Sequence, residues 1–184
     1  MPINANNPVS PSLPPSINLH LLKECNARCR FCFATFRNVQ GRLAFDQVCE
    51  LISRLREAGG EKLTFAGGEP TLHPDIGPLL EHAKSLGFVT CVVTNGARLE
   101  QLLDSHAGVL DWVGLSVDSA SDEVEEALGR GRPGYVAKAS RLAARCHEVG
   151  VRVKLNTVVT SLNADEDMSP LVELIAPERW KVLQ

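Results

Sequence analysis

The sequence predicts an α/β fold, a parallel sheet with helices on its outer face and the inner face curled into an open barrel, and three observations carry that prediction. Short β-rich runs alternate with amphipathic runs along nearly the whole chain, the pattern of repeated βα units joined by right-handed crossovers. Glycines at Gly59-Gly60, Gly87 and Gly150 end three of the helical runs just before a strand, at the C-cap position that favours glycine. Within five of the strands, polar and apolar residues alternate, although parallel strands are normally apolar on both faces.

The elements follow in order. Ile17–Leu22 reads as the first strand, Phe45–Ala58 as a helix, Lys62–Phe65 as a strand, Ile76–Leu86 as a helix and Val89–Val93 as a strand; strands are assigned by period 2 and helices by period 3.6. Leu99–Ser105 reads as a short helix, Trp112–Val117 as a strand, Tyr135–Val149 as a helix, Val151–Val158 as a strand and Met168–Ile175 as a helix. A sixth strand opens at Arg179 with no helix after it, so the barrel is expected to be truncated there. Residues 1–15 hold five prolines and are expected to form a flexible arm, leaving 16–184 as one domain.

Side chains at i and i+2 share a strand face. That rule puts Asn18 and His20, Lys62 and Thr64, Ser116 and Asp118, Arg152, Lys154 and Asn156, and Arg179 and Lys181 on one polar face. The apolar partners pack on helices, and the polar set is expected to line a wet, cation-rich lumen. Solvent-facing edges account for one such strand or two, but not for five.

Bulk properties limit the function classes. A formal net charge of -3 lacks the basic excess that a nucleic-acid backbone demands. No apolar run reaches the ~18 residues of a membrane span and residues 1–15 do not read as a signal peptide, so a soluble, cytoplasmic protein is expected. Six cysteines without a secretion signal read as thiols or metal ligands.

Three of those cysteines fall within eight residues directly after the first strand, as Cys25-Asn-Ala-Arg-Cys29-Arg-Phe-Cys32. Thiolates are soft ligands suited to zinc or iron–sulfur, and no second Cys/His pair stands at the spacing a closed zinc site requires. Cys49, Cys91 and Cys146 lie inside helix or strand runs and are expected to pack as small hydrophobes. His20 is a candidate proton donor, and His73 is expected to help start the helix that follows it.

The C-x3-C-x2-C loop resembles the radical S-adenosylmethionine (SAM) superfamily. That resemblance implies a partial (β/α)6, TIM-like barrel and a 4Fe–4S cluster on Cys25, Cys29 and Cys32, with one iron left open to bind SAM. An electron delivered through the cluster, from a reductant of the flavodoxin or ferredoxin type, then splits SAM to a 5′-deoxyadenosyl radical. Ala66-Gly67-Gly68-Glu69-Pro70, with Glu69 standing 37 residues after Cys32, resembles the family's GGE segment. In that segment exposed backbone and an exposed carboxylate hold the SAM amino group, which implies Gly67, Gly68 and Glu69 as cofactor contacts. Asn95 in Thr94-Asn95-Gly96, Ser116 and Asp118 at the end of the fourth strand, and Arg130 in Gly129-Arg130-Gly131 look like further SAM contacts.

Lys154-Leu155-Asn156-Thr157-Val158, Asn163-Ala164-Asp165-Glu166-Asp167-Met168 and Arg179-Trp180-Lys181-Val182-Leu183-Gln184 resemble the viperin family more narrowly. That family converts a ribonucleoside triphosphate to its 3′-deoxy-3′,4′-didehydro form in antiviral defence. The resemblance implies Asn18, Lys154, Arg179 and Lys181 as triphosphate contacts, with Lys62 beside them. Parity agrees independently, because Lys62, Lys154, Arg179 and Lys181 project into one lumen, and a triphosphate needs such a cluster. The competing expectations are another radical SAM branch, peptide-modifying or molybdopterin-type, and a non-catalytic metal-binding fragment.

Overall fold

The computed structural model describes residues 14–36 and 38–184. Most of the arm assigned to residues 1–15 lies outside the described residues. Its last member is anchored, since the Pro15 carbonyl accepts from the amides of Glu61 and Lys62, both at 2.8 Å.

Six strands form one sheet in the order of the sequence: β1 (Ser16–His20), β2 (Lys62–Ala66), β3 (Val89–Thr94), β4 (Trp112–Ser116), β5 (Arg152–Val158) and β6 (Arg179–Leu183). Every neighbouring pair is parallel. The crossovers carry α1 (Phe45–Glu57), α2 (Ile76–Ser85), α3 (Leu99–His106), α5 (Tyr135–Glu148) and α6 (Ser169–Ile175). The sequence analysis missed α4 (Asp122–Ala127) and two single 3₁₀ turns, Pro70–Leu72 and Ala107–Val109.

The helices start where local chemistry lets them. The Ala44 amide donates to the Gln47 side chain at the head of α1, and Ser121 accepts from the Val124 amide at the head of α4, each occupying an amide that the helix leaves free. At α5 the Asp122 carboxylate accepts from the amides of Gly134 at 2.6 Å and Val136 at 2.9 Å. His73 accepts from the Asp75 amide at 3.1 Å ahead of α2, the helix-starting role expected of it.

The core lies between the outer face of the sheet and the helices. Leu63 and Phe65 of β2, Val92 of β3, Val113 of β4 and Val153 and Leu155 of β5 meet Ile52, Leu79, Leu80, Leu103, Leu142 and Ile175 in one buried cluster. Burying each such side chain contributes about 1.5–3 kcal/mol of transfer free energy. Cys146 belongs to this cluster and Cys49 packs against it. Cys91 does not, because the register Thr64↔Cys91↔Trp112 puts it on the inner, polar face, where Lys62 and Lys154 act on its thiol. It is nevertheless buried at 2% exposure, the packing expected of it, with polar neighbours that strand parity supplies.

Among the described residues no helix is long and apolar enough to cross a membrane.

Candidate functional site

In a parallel sheet all strand C-termini share one rim, so the loops after β1, β2, β3 and β4 meet there. The cysteine loop follows β1 and is braced from three sides. The Gly68 amide donates to the Leu22 carbonyl at 2.7 Å and the Glu69 amide to the Glu24 carbonyl at 2.8 Å. On the other side the Arg28 and Arg30 amides donate to the carbonyls of Gly129 and Leu128, at 2.8 and 3.0 Å. From β3, Asn95 Nδ2 donates to Asn26 Oδ1 at 2.9 Å and lies 3.8 Å from Cys25 Sγ.

The paired glycines answer to this brace. Gly67 sits at φ 143°, and a Cβ there would run into the Leu22 carbonyl, while one on Gly68 would run into the Glu24 carbonyl. Only residues without a side chain let the two loops approach this closely.

Cys25 and Cys29 are half-buried and Cys32 is exposed, all three as free thiols. Burial pushes the Cys25 and Cys29 thiols up, and Cys32 acts on both. Among the described residues no three Cys, His, Asp or Glu side chains are grouped closely enough to hold a single metal ion.

Two residues expected at the cofactor are buried and hydrogen-bonded within the protein. Glu69 is buried rather than exposed. Its Oε1 accepts from the Thr71 amide at 3.0 Å, the Thr71 hydroxyl at 2.6 Å and the Thr94 hydroxyl at 2.6 Å, and its Oε2 from the Asn95 amide at 2.8 Å. The carboxylate therefore ties the β2 loop to the end of β3. Asp118 is also fully buried. Its carboxylate accepts from the Val158 amide at 2.8 Å and pairs with Arg130 Nε. The carboxylate holds the arginine.

Arg130 is not a surface residue, its side chain being 11% exposed. The Asp118 and Cys29 charges hold its guanidinium ionised despite burial, and it lies over the Phe31 ring at 5.3 Å. It lines a cavity of about 370 Å³ together with Asn26, Asn95, Gly131, Tyr135 and Lys138. Ser116 stands beside it at the end of β4, with its carbonyl accepting from the Tyr135 hydroxyl at 2.5 Å.

The polar face forms as parity requires. The register pairs Asn18 with Thr64, Trp112 with Arg152, Lys154 with Arg179, and Asn156 with both Ser116 and Lys181. Lys62 and Arg152 lie at the N-terminal ends of their strands and flank Trp112, at 5.0 and 4.3 Å from its ring, an attraction between a cation and a π face. Lys154 lies one residue pair closer to the rim, and burial lowers its pKa first, helped by Lys181, Lys62 and Arg179. Among the described residues none of Lys62, Arg152, Lys154, Arg179 or Lys181 forms a salt bridge. Gathered cations without carboxylates make a site for an anion.

His20 has no hydrogen-bond partner among the described residues. It lies edge-on to Phe36 at 5.0 Å and Phe33 at 6.3 Å, and burial lowers its pKa, which favours the neutral ring. Sequence reasoning missed Glu125 and Tyr135. The available signal for Glu125 was its helical spacing of three from buried Leu128, which puts it on the inward side of α4.

Residues 20–175 match the family model of the Radical SAM superfamily. The chain is 41% identical over 181 residues to an S-adenosylmethionine-dependent nucleotide dehydratase of Flammeovirga pacifica, covering 92% of this chain and 62% of that protein. It is 36% identical to one from a Thermoplasmatales archaeon, covering 90% of this chain and 60% of that protein. The chain thus spans less than two thirds of these relatives. Among solved structures, Streptococcus suis SuiB bound to S-adenosylmethionine superposes with a TM-score of 0.76 at 23% identity, covering 93% of this chain and 40% of that one. That likeness shows the fold.

Proposed function

Because the chain belongs to the radical SAM superfamily, we propose that it is the core of a nucleotide dehydratase in which Cys25, Cys29 and Cys32 hold a 4Fe–4S cluster and the inner face of the sheet holds a ribonucleoside triphosphate. The donor set fits the cluster, since three soft thiolates on one loop leave a fourth iron for a chelating cofactor. Bound here, the cluster would supply the electron for reductive cleavage of SAM and so a radical able to take a hydrogen from the ribose, while release of a ribose hydroxyl as water would take a proton and a second electron from the same carrier.

The protein's own part is to bind, orient and exclude water. The Gly67 and Gly68 backbone, Asn95, Ser116 and Arg130 line the rim beside the cysteine loop and position SAM, with Arg130 fixed against Asp118 as the partner of its carboxylate. Glu69 acts by holding Asn95 in place. Lys154, Arg179 and Lys181 neutralise the triphosphate, Asn18 adds an amide, and Lys62 closes the far end beside Trp112. A one-electron carrier of the flavodoxin or ferredoxin type supplies the electron, and antiviral nucleotide chemistry in the cytoplasm is the setting that this product suits.

The observation that carries the reading is the set of five inner-face cations that make no salt bridge among the described residues, below a rim that bears the cysteine loop. Anaerobic reconstitution followed by SAM, dithionite and each of the four ribonucleoside triphosphates tests it. 5′-Deoxyadenosine production stimulated by a nucleotide supports the proposal. Stimulation by none returns the chain to the peptide-modifying or molybdopterin-type branches, and a protein holding zinc without inorganic sulfide overturns the cluster assignment.

A further inference from the structure

Arg130 is placed by a residue that plays no part in the function proposed above. Glu125 is fully buried on α4, and its Oε1 accepts from the amides of Asp118 at 2.6 Å and Ser119 at 3.0 Å. Its own backbone carbonyl accepts from the amides of Arg130 at 3.0 Å and Gly131 at 3.1 Å. The side chain therefore fixes the carboxylate that pairs with Arg130, and the main chain fixes Arg130 itself. One residue sets both halves of the Asp118–Arg130 pair in register.

Two observations argue against a filler role. Oε2 of Glu125 is buried with no hydrogen-bond partner among the described residues, and leaving a carboxylate oxygen so costs free energy that an apolar side chain would not. The loop is also fitted to the side chain, since a Cβ on Gly131 would come within 2.9 Å of the Glu125 Cβ and of the Tyr135 Cβ. The reach extends further, because the segment just before Arg130 supplies the Gly129 and Leu128 carbonyls that hold the Arg28 and Arg30 amides of the cysteine loop. A shift of Glu125 moves Arg130 and loosens the brace on that loop together.

We propose that Glu125 is a positioning residue for the cofactor, acting through Asp118 and Arg130 to set the guanidinium that meets the SAM carboxylate. The inference rests on the reading of Arg130 as a SAM contact, and the test separates the two.

Equilibrium dialysis of SAM against the cluster-loaded protein, without reductant, is run on Glu125→Gln, Glu125→Asp, Arg130→Ala and the Asp/Ala double variant. The glutamine carbonyl still reaches both amides, so E125Q binds SAM within about twofold of the parent. The shorter aspartate cannot reach, so E125D loses about tenfold, and the double variant binds no worse than R130A, the non-additivity expected of residues acting through one contact. E125D at parental affinity with R130A weakened, additive losses in the double variant, or E125Q falling as far as E125D each overturn the role of Glu125. R130A at parental affinity removes the Arg130 reading and this inference with it. If E125D does not fold, E125M, which keeps the volume and removes both acceptors, takes its place with the same expected loss.

Discussion

Replacing Glu125 by glutamine has a consequence for folding as well as for binding. In the folded protein burial pushes the carboxyl up from its ordinary 4.5 to about 7, with the Asp118 charge adding to the rise and the Asp118 and Ser119 amides and Arg130 opposing it. Between those two values the folded chain keeps the proton while the unfolded chain has released it, so the folded state binds more protons and stability falls as pH rises. The loss is complete above pH 7 and amounts to about 3 kcal/mol at most, from 1.36 kcal/mol per pH unit. Glutamine does not titrate, so its stability relative to the parent improves by up to that amount from pH 4.5 to pH 7, on top of a constant offset for burying an amide N–H. Urea unfolding of the reduced parent and E125Q, followed by far-ultraviolet circular dichroism at pH 5, 6, 7 and 8, measures the difference directly. A difference that stays flat within about 0.5 kcal/mol across that range refutes the reasoning, since 1 kcal/mol is well within reach of the method.

Four further outcomes are expected. Asn163→Ala removes a side chain whose Nδ2 donates to the carbonyls of Asp118 at 2.7 Å and Val158 at 3.0 Å, and leaving those groups unpaired lowers the unfolding free energy by about 1–3 kcal/mol in the same urea assay. Lys154→Met has opposite effects in two assays. It raises the melting temperature of the ligand-free protein by removing a half-buried cation among cations, and it weakens ribonucleoside triphosphate binding by about tenfold or more in dialysis. Leu79→Ala, at a position with no exposed surface, costs about 2–5 kcal/mol of stability by calorimetry or urea. Gly68→Ala drives a Cβ into the Glu24 carbonyl, so the loop is displaced and reconstitution yields less iron and acid-labile sulfide per chain than the parent.

Much of this was legible before the coordinates because strand parity is a strict rule. The alternation in Arg152-Val153-Lys154-Leu155-Asn156 leaves one way to bury the valine and the leucine, and that choice throws both cations inward. The same rule gives Cys91, buried as expected, its polar neighbours. Glu69 and Asp118 were read as cofactor contacts from the resemblance of their segments to the family's, and a segment in one dimension does not show what else its carboxylate bonds to. Their hydrogen-bond donors, Thr94 and Asn95 for one and Arg130 and Val158 for the other, come from distant parts of the chain, and only the meeting of loops on the rim reveals that the oxygens are occupied. The helix α4 was invisible for a different reason, since six residues rich in Asp and Glu carry too little apolar periodicity to signal a buried side.

The chain contains two tryptophans, and they stand in opposite circumstances. Trp180 Nε1 donates to the Thr157 hydroxyl on the outer face, whereas Trp112 lies between two positive charges. A polyanion settling among the inner-face cations competes for Lys62 and Arg152 and changes the field felt by that indole, while the other keeps its surroundings. The floor of the barrel thus carries an intrinsic fluorophore for occupancy, and its emission, isolated in a Trp180→Phe background, reports filling without label or turnover.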